Sequence, residues 1–481
     1  MNSKNSIANN TSMYCLAILL LLTSLSAETV DEAMEGFEDT PITSVKIVKK
    51  PIIGEDKSNS IMDGFDDDSD TYTGLESNLS EIAEDNGKEE SVVSDFTGKL
   101  TQQVAYSYAA KKPHDNFTSF KSSLLLDYEH KFENGWRFKA NAKAYYDSIY
   151  DLRDEDYTKG ELNELRTEVE LYDAYFEGEI VDSLDIKIGR QVVVWGRSDT
   201  VRITDVLNPL DNRRPGMVDI EDLRLPVTMV KLDYFIGDWR ISPIAILEQR
   251  FTKKPPFASA FYPLPVKAPR DESYDDITYA LSLGATFSGW DISFYAAKIR
   301  DDSGYILMSK KPKMQHDKIK MLGSAINILS GPWLFKSELA YFDGLKYTST
   351  QKKEFSKLDT LVGVEYKGIA DTTISYDISL RHVNSYDISL LNEFNPLEED
   401  TYQHAFRVSS DFMNATMTAN YLISLYGKKL NEGAFQRAWI KYELGEGINT
   451  NFGVVDYIGG GVFFDAIKDN DMVFADISYN F

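Results

Sequence analysis

The chain has 481 residues, more than one ordinary core accommodates, so either two or three domains or one large closed barrel fits. With 76 acidic residues against 51 basic ones, its net charge of -25 excludes the basic patches that nucleic-acid binding needs. The single cysteine excludes a disulfide framework and a cysteine metal site.

The first element is CLAILLLLTSLSA, Cys15 to Ala27, behind Lys4. It is shorter than the roughly 20 apolar residues of a spanning helix and ends in Ser26-Ala27, so residues 1–27 read as a secretory signal peptide that removes Cys15. Residues 28–96 follow as an acidic tail. Between Glu28 and Asp95 there are 20 acidic and 5 basic residues, few aromatics and no clear period, a disordered composition. Within it AMEGFED, Ala33 to Asp39, recurs as IMDGFDD, Ile61 to Asp67. Two readings stand level. One is a spacer with a chance echo. The other is a duplicated docking word, with Phe37 and Phe65 as apolar anchors and Glu38, Asp39, Asp66 and Asp67 facing a basic rim on a partner, where two weak sites gain avidity.

From about Leu100 the dominant period is two. In WRFKANAKAYYD, Trp136, Phe138, Ala140, Ala142, Ala144 and Tyr146 face one way, and Arg137, Lys139, Asn141, Lys143, Tyr145 and Asp147 face the other. The same alternation places Ile374, Tyr376, Ile378 and Leu380 opposite Ser375, Asp377, Ser379 and Arg381. Such segments are strands with one apolar and one polar face. The turns ENGW, IGDW, FSGW and SGPW put Trp136, Trp239, Trp290 and Trp333 at one point of the strand cycle, which a membrane interface explains and core packing does not. Tight turns alternate with long polar connections at 252–275, 300–316, 385–401 and 458–470, the outer-membrane pattern. The expected fold is an all-β transmembrane antiparallel β-barrel over 97–481. Its 18 strands start near 98, 119, 136, 162, 183, 226, 239, 276, 290, 317, 333, 358, 372, 402, 415, 434, 447 and 471, with 16 strands as the alternative.

The polar faces carry a charge ladder, Arg137, Lys139 and Lys143 and then Arg166, Glu168 and Glu170. It reads either as a transverse field across a pore or as static pairs along the wall. His114, His130, His316, His382 and His404 show no metal spacing and no nucleophile motif, so no enzyme, no cofactor and no metal site is expected. A divalent cation at Asp211, Asp219, Glu221 or Asp222 is the lesser reading, because the spacing matches no defined calcium loop.

The run IGRQVVVWGRSDTVRITDVLNPLDNRR, Ile188 to Arg214, departs from this pattern. Leu184, Ile186 and Ile188 face lipid, and strict alternation puts Arg190 there too, at about 2–4 kcal/mol near mid-membrane. A bulge at Gly189 is expected to re-aim it into the lumen. Residues 197–225 form the longest stretch without a strand period. Their charges, with Arg190 and Trp195 (Arg197, Asp199, Arg202, Asp205, Asp211, Arg213, Arg214), are expected to line a constriction if the loop folds inward, or to satisfy one another in an exterior loop. The last strand, MVFADISYNF, sends Val473, Ala475, Ile477, Tyr479 and Phe481 one way and ends in an aromatic of the kind that barrel-assembly machinery reads.

The stretch IGRQVVVWGRSDTVRITDVLNPLD, with its GRQ, WG and NP elements, resembles a proteobacterial outer-membrane barrel family catalogued as domain of unknown function 1302. The GFED and GFDD words at Glu35–Asp39 and Asp63–Asp67 resemble the acidic words that its members carry after the signal peptide. More distantly, the GRQ strand is similar to that of alginate-export porins. Members are commonly encoded beside resistance-nodulation-division exporters and a lipid-binding periplasmic protein. The resemblance therefore implies export of a hydrophobic or lipid-like compound, with a periplasmic or inner-membrane exporter component docking on the tail. The expectation is a monomeric outer-membrane channel surrounded by outer-membrane lipid. A general or sugar-type diffusion porin and a plugged surface-binding barrel are the alternatives.

Overall fold

A computed structural model of the chain describes residues 93–481 except 113, 154–156 and 219. The signal peptide and the paired words around Phe37 and Phe65 lie outside the described residues. In chain order the strands are β1 (Val93–Ser107), β2 (Asn116–Lys131), β3 (Arg137–Asp147), β4 (Thr167–Val181), β5 (Leu184–Gln191), β6 (Val227–Ile236), β7 (Trp239–Ile246), β8 (Thr278–Phe287), β9 (Trp290–Arg300), β10 (Tyr305–Leu307), β11 (Lys313–Gln315), β12 (Lys318–Ser330), β13 (Trp333–Leu345), β14 (Phe355–Ile369), β15 (Thr372–Asn384), β16 (Asp400–Phe412), β17 (Met417–Tyr426), β18 (Ala434–Gly445), β19 (Ile448–Ile458) and β20 (Met472–Asn480). β10 and β11 form a separate hairpin, and the other 18 close one antiparallel barrel. Closure is made where β1 pairs with both β2 and β20. Gly98 on β1 is required there: a Cβ would meet the Phe481 ring at 2.4 Å, and the two residues exchange backbone hydrogen bonds of 2.8 and 2.9 Å. No helix among the described residues is long and apolar enough to cross a membrane.

The period of two becomes an inside-out distribution. On β13, Leu334, Lys336, Glu338, Ala340 and Phe342 are buried inward, while Trp333, Phe335, Leu339 and Tyr341 are exposed outward. On β9, Asp291, Ser293, Tyr295, Ala297 and Ile299 point in, and Trp290 and Phe294 point out. A soluble fold buries its apolar face; here charges are buried and aromatics are outside, the surface that a transmembrane barrel presents to lipid. Eight connections are five residues or shorter, and they alternate with nine longer ones, the longest spanning 192–226. Around the short-turn rim Trp290 stacks on Phe287 at 4.4 Å, and Trp333 lies 4.4 Å from Tyr366, so the tryptophan turns form part of an aromatic girdle.

Several details differ from expectation. β1 begins at Val93, four residues before the expected barrel boundary at 97. The fourth strand begins at Thr167 rather than 162, because Lys159–Leu165 is a helix. Its capping box is explicit: Thr158 Oγ1 accepts from Glu161 N at 3.3 Å, and Glu161 accepts from Thr158 N at 2.7 Å. Arg166 caps that helix and pairs with Asp151 at 2.6 Å, so it is no member of the lumen ladder. At Gly189 the pairing of β5 with β4 and β6 runs without a register shift, so no bulge is inserted. The distortion is in the backbone instead. Gly189 has φ +133°, and a Cβ would stand 2.2 Å from the Ala174 carbonyl oxygen.

Candidate functional site

The segment 192–226 leaves the top of β5 and runs through the barrel interior. Its polar groups bond to inward residues of β2, β3, β4, β9, β13, β15 and β19, strands on all sides of the lumen. Two side chains make its base. Asn208 Oδ1 accepts from Val193 N at 2.8 Å, and its Nδ2 donates to Gln191 O at 3.2 Å and Leu225 O at 2.9 Å, tying entry to exit. Gln191, fully buried, donates to Met229 O at 3.2 Å on β6. These residues are the Q of GRQ and the N of NP. Neither stood among the expected site residues, although the motif contained both.

The first half of the segment is a plug of ordinary hydrophobic packing. Val193, Trp195, Val201, Ile203 and Leu207 join inward residues of β6 to β16, including Met229, Ile246, Met321, Ala340 and Leu361, in one cluster. Trp195 is 4% exposed and stacks on Tyr295 at 4.7 Å. Buried carboxylates on the wall hold the backbone around it. Glu338 Oε1 accepts from Arg197 N (2.7 Å) and Ser198 N (3.0 Å), and its Oε2 accepts from Thr204 N (3.1 Å) and Thr204 Oγ1 (2.7 Å). Asp377 accepts from Ser198 Oγ at 2.6 Å and Thr200 Oγ1 at 2.5 Å.

The expected constriction residues are thus brought into one segment, but mostly as bonded pairs. Arg197 pairs with Asp291 at 2.5 Å, and Asp199 with Lys336 at 3.2 Å. Arg202 and Arg224 share Asp205 at 3.1 and 2.9 Å. Arg213 bonds to Glu168 at 2.7 Å, to Tyr145 OH at 3.0 Å and to Asp211, and Arg214 bonds to Asp147 at 3.1 Å. Burial would raise the Asp211 carboxyl, but the hydrogen bond and charge of Arg213 outweigh it and hold the group below its usual range. That pairing occupies the acid considered for a cation, and the described residues hold no metal-ligand cluster of three or more. Arg190 stays in step with Ile188, and its charge is met by Leu171 O at 2.9 Å, Glu248 at 3.1 Å and Glu170 at 3.6 Å.

The acidic part of the ladder serves loops rather than the basic part. Glu168 and Glu170 accept from Lys253 at 2.7 and 2.6 Å, and Glu170 also from Arg250, both cations from the 247–277 connection. That connection also sends Phe261 inward to a second apolar cluster with Trp439, Tyr457, Phe464 and Phe474. On the basic strand, Arg137 bonds to Glu177, and Lys139 lies 3.7 Å from Asp127. Lys143 faces inward yet is exposed. The histidines take local partners: His114 with Arg153, His130 with Ser94, His382 with Asp400 and His404 with Tyr376. His316 is fully buried, stacked 3.5 Å from Phe251 and 3.3 Å from Asp271.

A family model described as "Protein of unknown function (DUF1302)" matches residues 104–240, from β1 through the plug segment into β7. The resemblance read from the GRQ, WG and NP elements is borne out over that stretch. Among solved structures, the outer-membrane protein OpdK of Pseudomonas aeruginosa is 11% identical, with a TM-score of 0.49 over 81% of this chain and 99% of its own. A BenF-like porin from Pseudomonas fluorescens Pf-5 is 13% identical, with a TM-score of 0.49 over 82% and 100%. The outer-membrane channel DcaP of Acinetobacter baumannii is 10% identical, with a TM-score of 0.43 over 82% and 99%. No curated protein matches the chain.

Proposed function

We propose that the protein is an outer-membrane channel for a hydrophobic or amphipathic, lipid-like molecule, with the 192–226 segment as its constriction. The observation that carries this reading is the anchoring of that segment across the lumen, by Glu338 and Asp377 on one side and Asp147 and Glu168 on the other. The passenger class rests on the resemblance read from the GRQ, WG and NP elements; Met229, Tyr295 and Met321 of the β6 to β16 sector pack against the segment and hold it in place. In this reading Arg190, Trp195, Arg197, Asp199, Arg202, Asp205, Asp211, Arg213 and Arg214 set the constriction, and lipid surrounds a monomer. The short-turn rim faces the periplasm, and Phe481 is the signal for assembly. Residues 28–92 present Phe37 and Phe65 to an exporter component.

The test is conductance in planar bilayers. The intact protein passes a small current, and Arg197→Ala with Arg202→Ala raises it severalfold. A large current that the double variant leaves unchanged makes the barrel a diffusion porin, and no current in either makes it a plugged surface protein. Deleting 28–92 removes pull-down of the periplasmic partner and leaves barrel assembly intact, because β1 starts at Val93. Pull-down retained by the deletion removes the docking role.

A further inference from the structure

Across from the plug, the interior changes character. Lys99 on β1, Lys121 on β2, Lys143 on β3 and Lys441 on β18 all point inward, as their registers with Asn480, Asp147, Glu170 and Asn451 require. These strands form the arc β18–β19–β20–β1–β2–β3, closed by the β1–β20 pairing. Other inward lysines are in ion pairs: Lys139 with Asp127, Lys187 with Glu177, Lys231 with Asp233, Lys336 with Glu365 and Lys357 with Asp359. None of the four in this arc makes an ion pair among the described residues.

Their surroundings reinforce the excess. Lys121 lies 5.5 Å over the Tyr145 ring, and Arg213 lies over the same ring at 5.8 Å. Asp147, the acid opposite Lys121 in the register, is already bonded to Arg214 and Ser119. Asp476 stands among Lys99, Lys121 and Lys441 as one acidic residue to three lysines, and it accepts from Asn451 at 3.0 Å. Lys143 and Lys441 are exposed although they face inward, so open space adjoins them. Like charges gathered in a low-dielectric cleft raise one another's energy and draw anions in.

We propose that Lys99, Lys121, Lys143 and Lys441 form a binding track for the anionic head group of an amphipathic passenger. This rests on the channel reading and narrows it, since the passenger then carries a carboxylate or phosphate beside its apolar part.

Calorimetry on the full-length barrel in detergent tests it, with hexanoate as probe and 1-hexanol as its uncharged counterpart. Hexanoate binds and 1-hexanol does not. Lys121→Gln with Lys143→Gln weakens hexanoate binding about tenfold to a hundredfold, as loss of charge-assisted bonds requires. Lys121→Arg with Lys143→Arg retains it, and unheated gel mobility confirms folding of both variants. Equal binding of hexanoate and 1-hexanol, or unchanged binding in the glutamine variant, overturns the track. Displacement of hexanoate by equimolar chloride reduces it to a general anion well and overturns the head-group assignment. A barrel that binds hexanoate but passes no current loses the channel reading and keeps the site. One that conducts but does not bind loses the site alone.

Discussion

The two sides of the lumen solve opposite problems. On the β6 to β16 side, Trp195, Ile203 and Leu207 pack as a core, and each wall carboxylate holds several donors of the inward segment. On the β18 to β3 side, four lysines make no ion pair among the described residues, and two of them are exposed. A group whose partners are complete contributes to rigidity and has nothing left for a ligand. A group whose partner is missing adds little stability and is available to one. On β3 the two kinds of group share one strand, with Asp147 holding the segment and Lys143 left without an ion pair among the described residues.

The largest expected effect tests the packed side. Trp195→Ala removes a buried aromatic and its stacking on Tyr295, costing about 3–5 kcal/mol in urea unfolding of the detergent-solubilised barrel. A cost under about 1 kcal/mol, far below that range, would mean that the segment is not a core element. Asn208→Ala comes next, at about 1–3 kcal/mol, because it leaves Val193 N and the carbonyls of Gln191 and Leu225 without their partner. Hydrogen exchange should rise across 192–226 and not elsewhere; a uniform rise would contradict the tie between entry and exit.

Lys143→Gln sharpens the other side. Stability should change by less than about 0.5 kcal/mol, as for an exposed residue whose contact is the Tyr172 ring at 6.0 Å and not an ion pair. The reversal potential in a salt gradient should move toward cation preference. A stability loss comparable to that of Asn208→Ala would show that the lysine is structural after all.

The smallest effect concerns Asp471, between the helix Val462–Ile467 and β20. Burial and the nearby Asp456 and Asp469 push its carboxyl up to about 7, against the hydrogen bond that it accepts from Tyr457 N at 2.7 Å. The folded state therefore holds this proton more tightly than the unfolded chain does. Its contribution is fully present below the ordinary carboxyl range and is lost as pH rises through about 7. Asp471→Asn should flatten the pH dependence of exchange in 459–471 between pH 5 and 8, a window taken from about two units below that value to about one above it. A slope preserved in the variant would assign the dependence to another group.

The sequence resolved the wall better than its contents. Alternation in WRFKANAKAYYD and MVFADISYNF placed Phe138 and Ile477 outside and Lys139 and Asp476 inside, as observed. Local chemistry explains the misses. Thr158 with Glu161 spelled a capping box where a strand start was expected. Gly189 carried its strain in φ and not in an inserted residue. Of the site, the charged run from Arg197 to Arg214 was legible, but Glu338, Asp377 and Lys121 were not. Each of those lies on a regular strand, and nothing local distinguishes it from other inward polar residues.

By itself the sequence determined the barrel, its lipid-facing surface and the break in pattern at Trp195-Gly196, and it narrowed the strand number to 18 or 16. All of these follow from a period of two and from turn composition, which are local. Only the tertiary structure decided that 192–226 lies inside, which wall carboxylates hold it, and which lysines are left over. Those outcomes depend on which residues face each other across the lumen, and strands distant in sequence become neighbours only when β1 closes on β20.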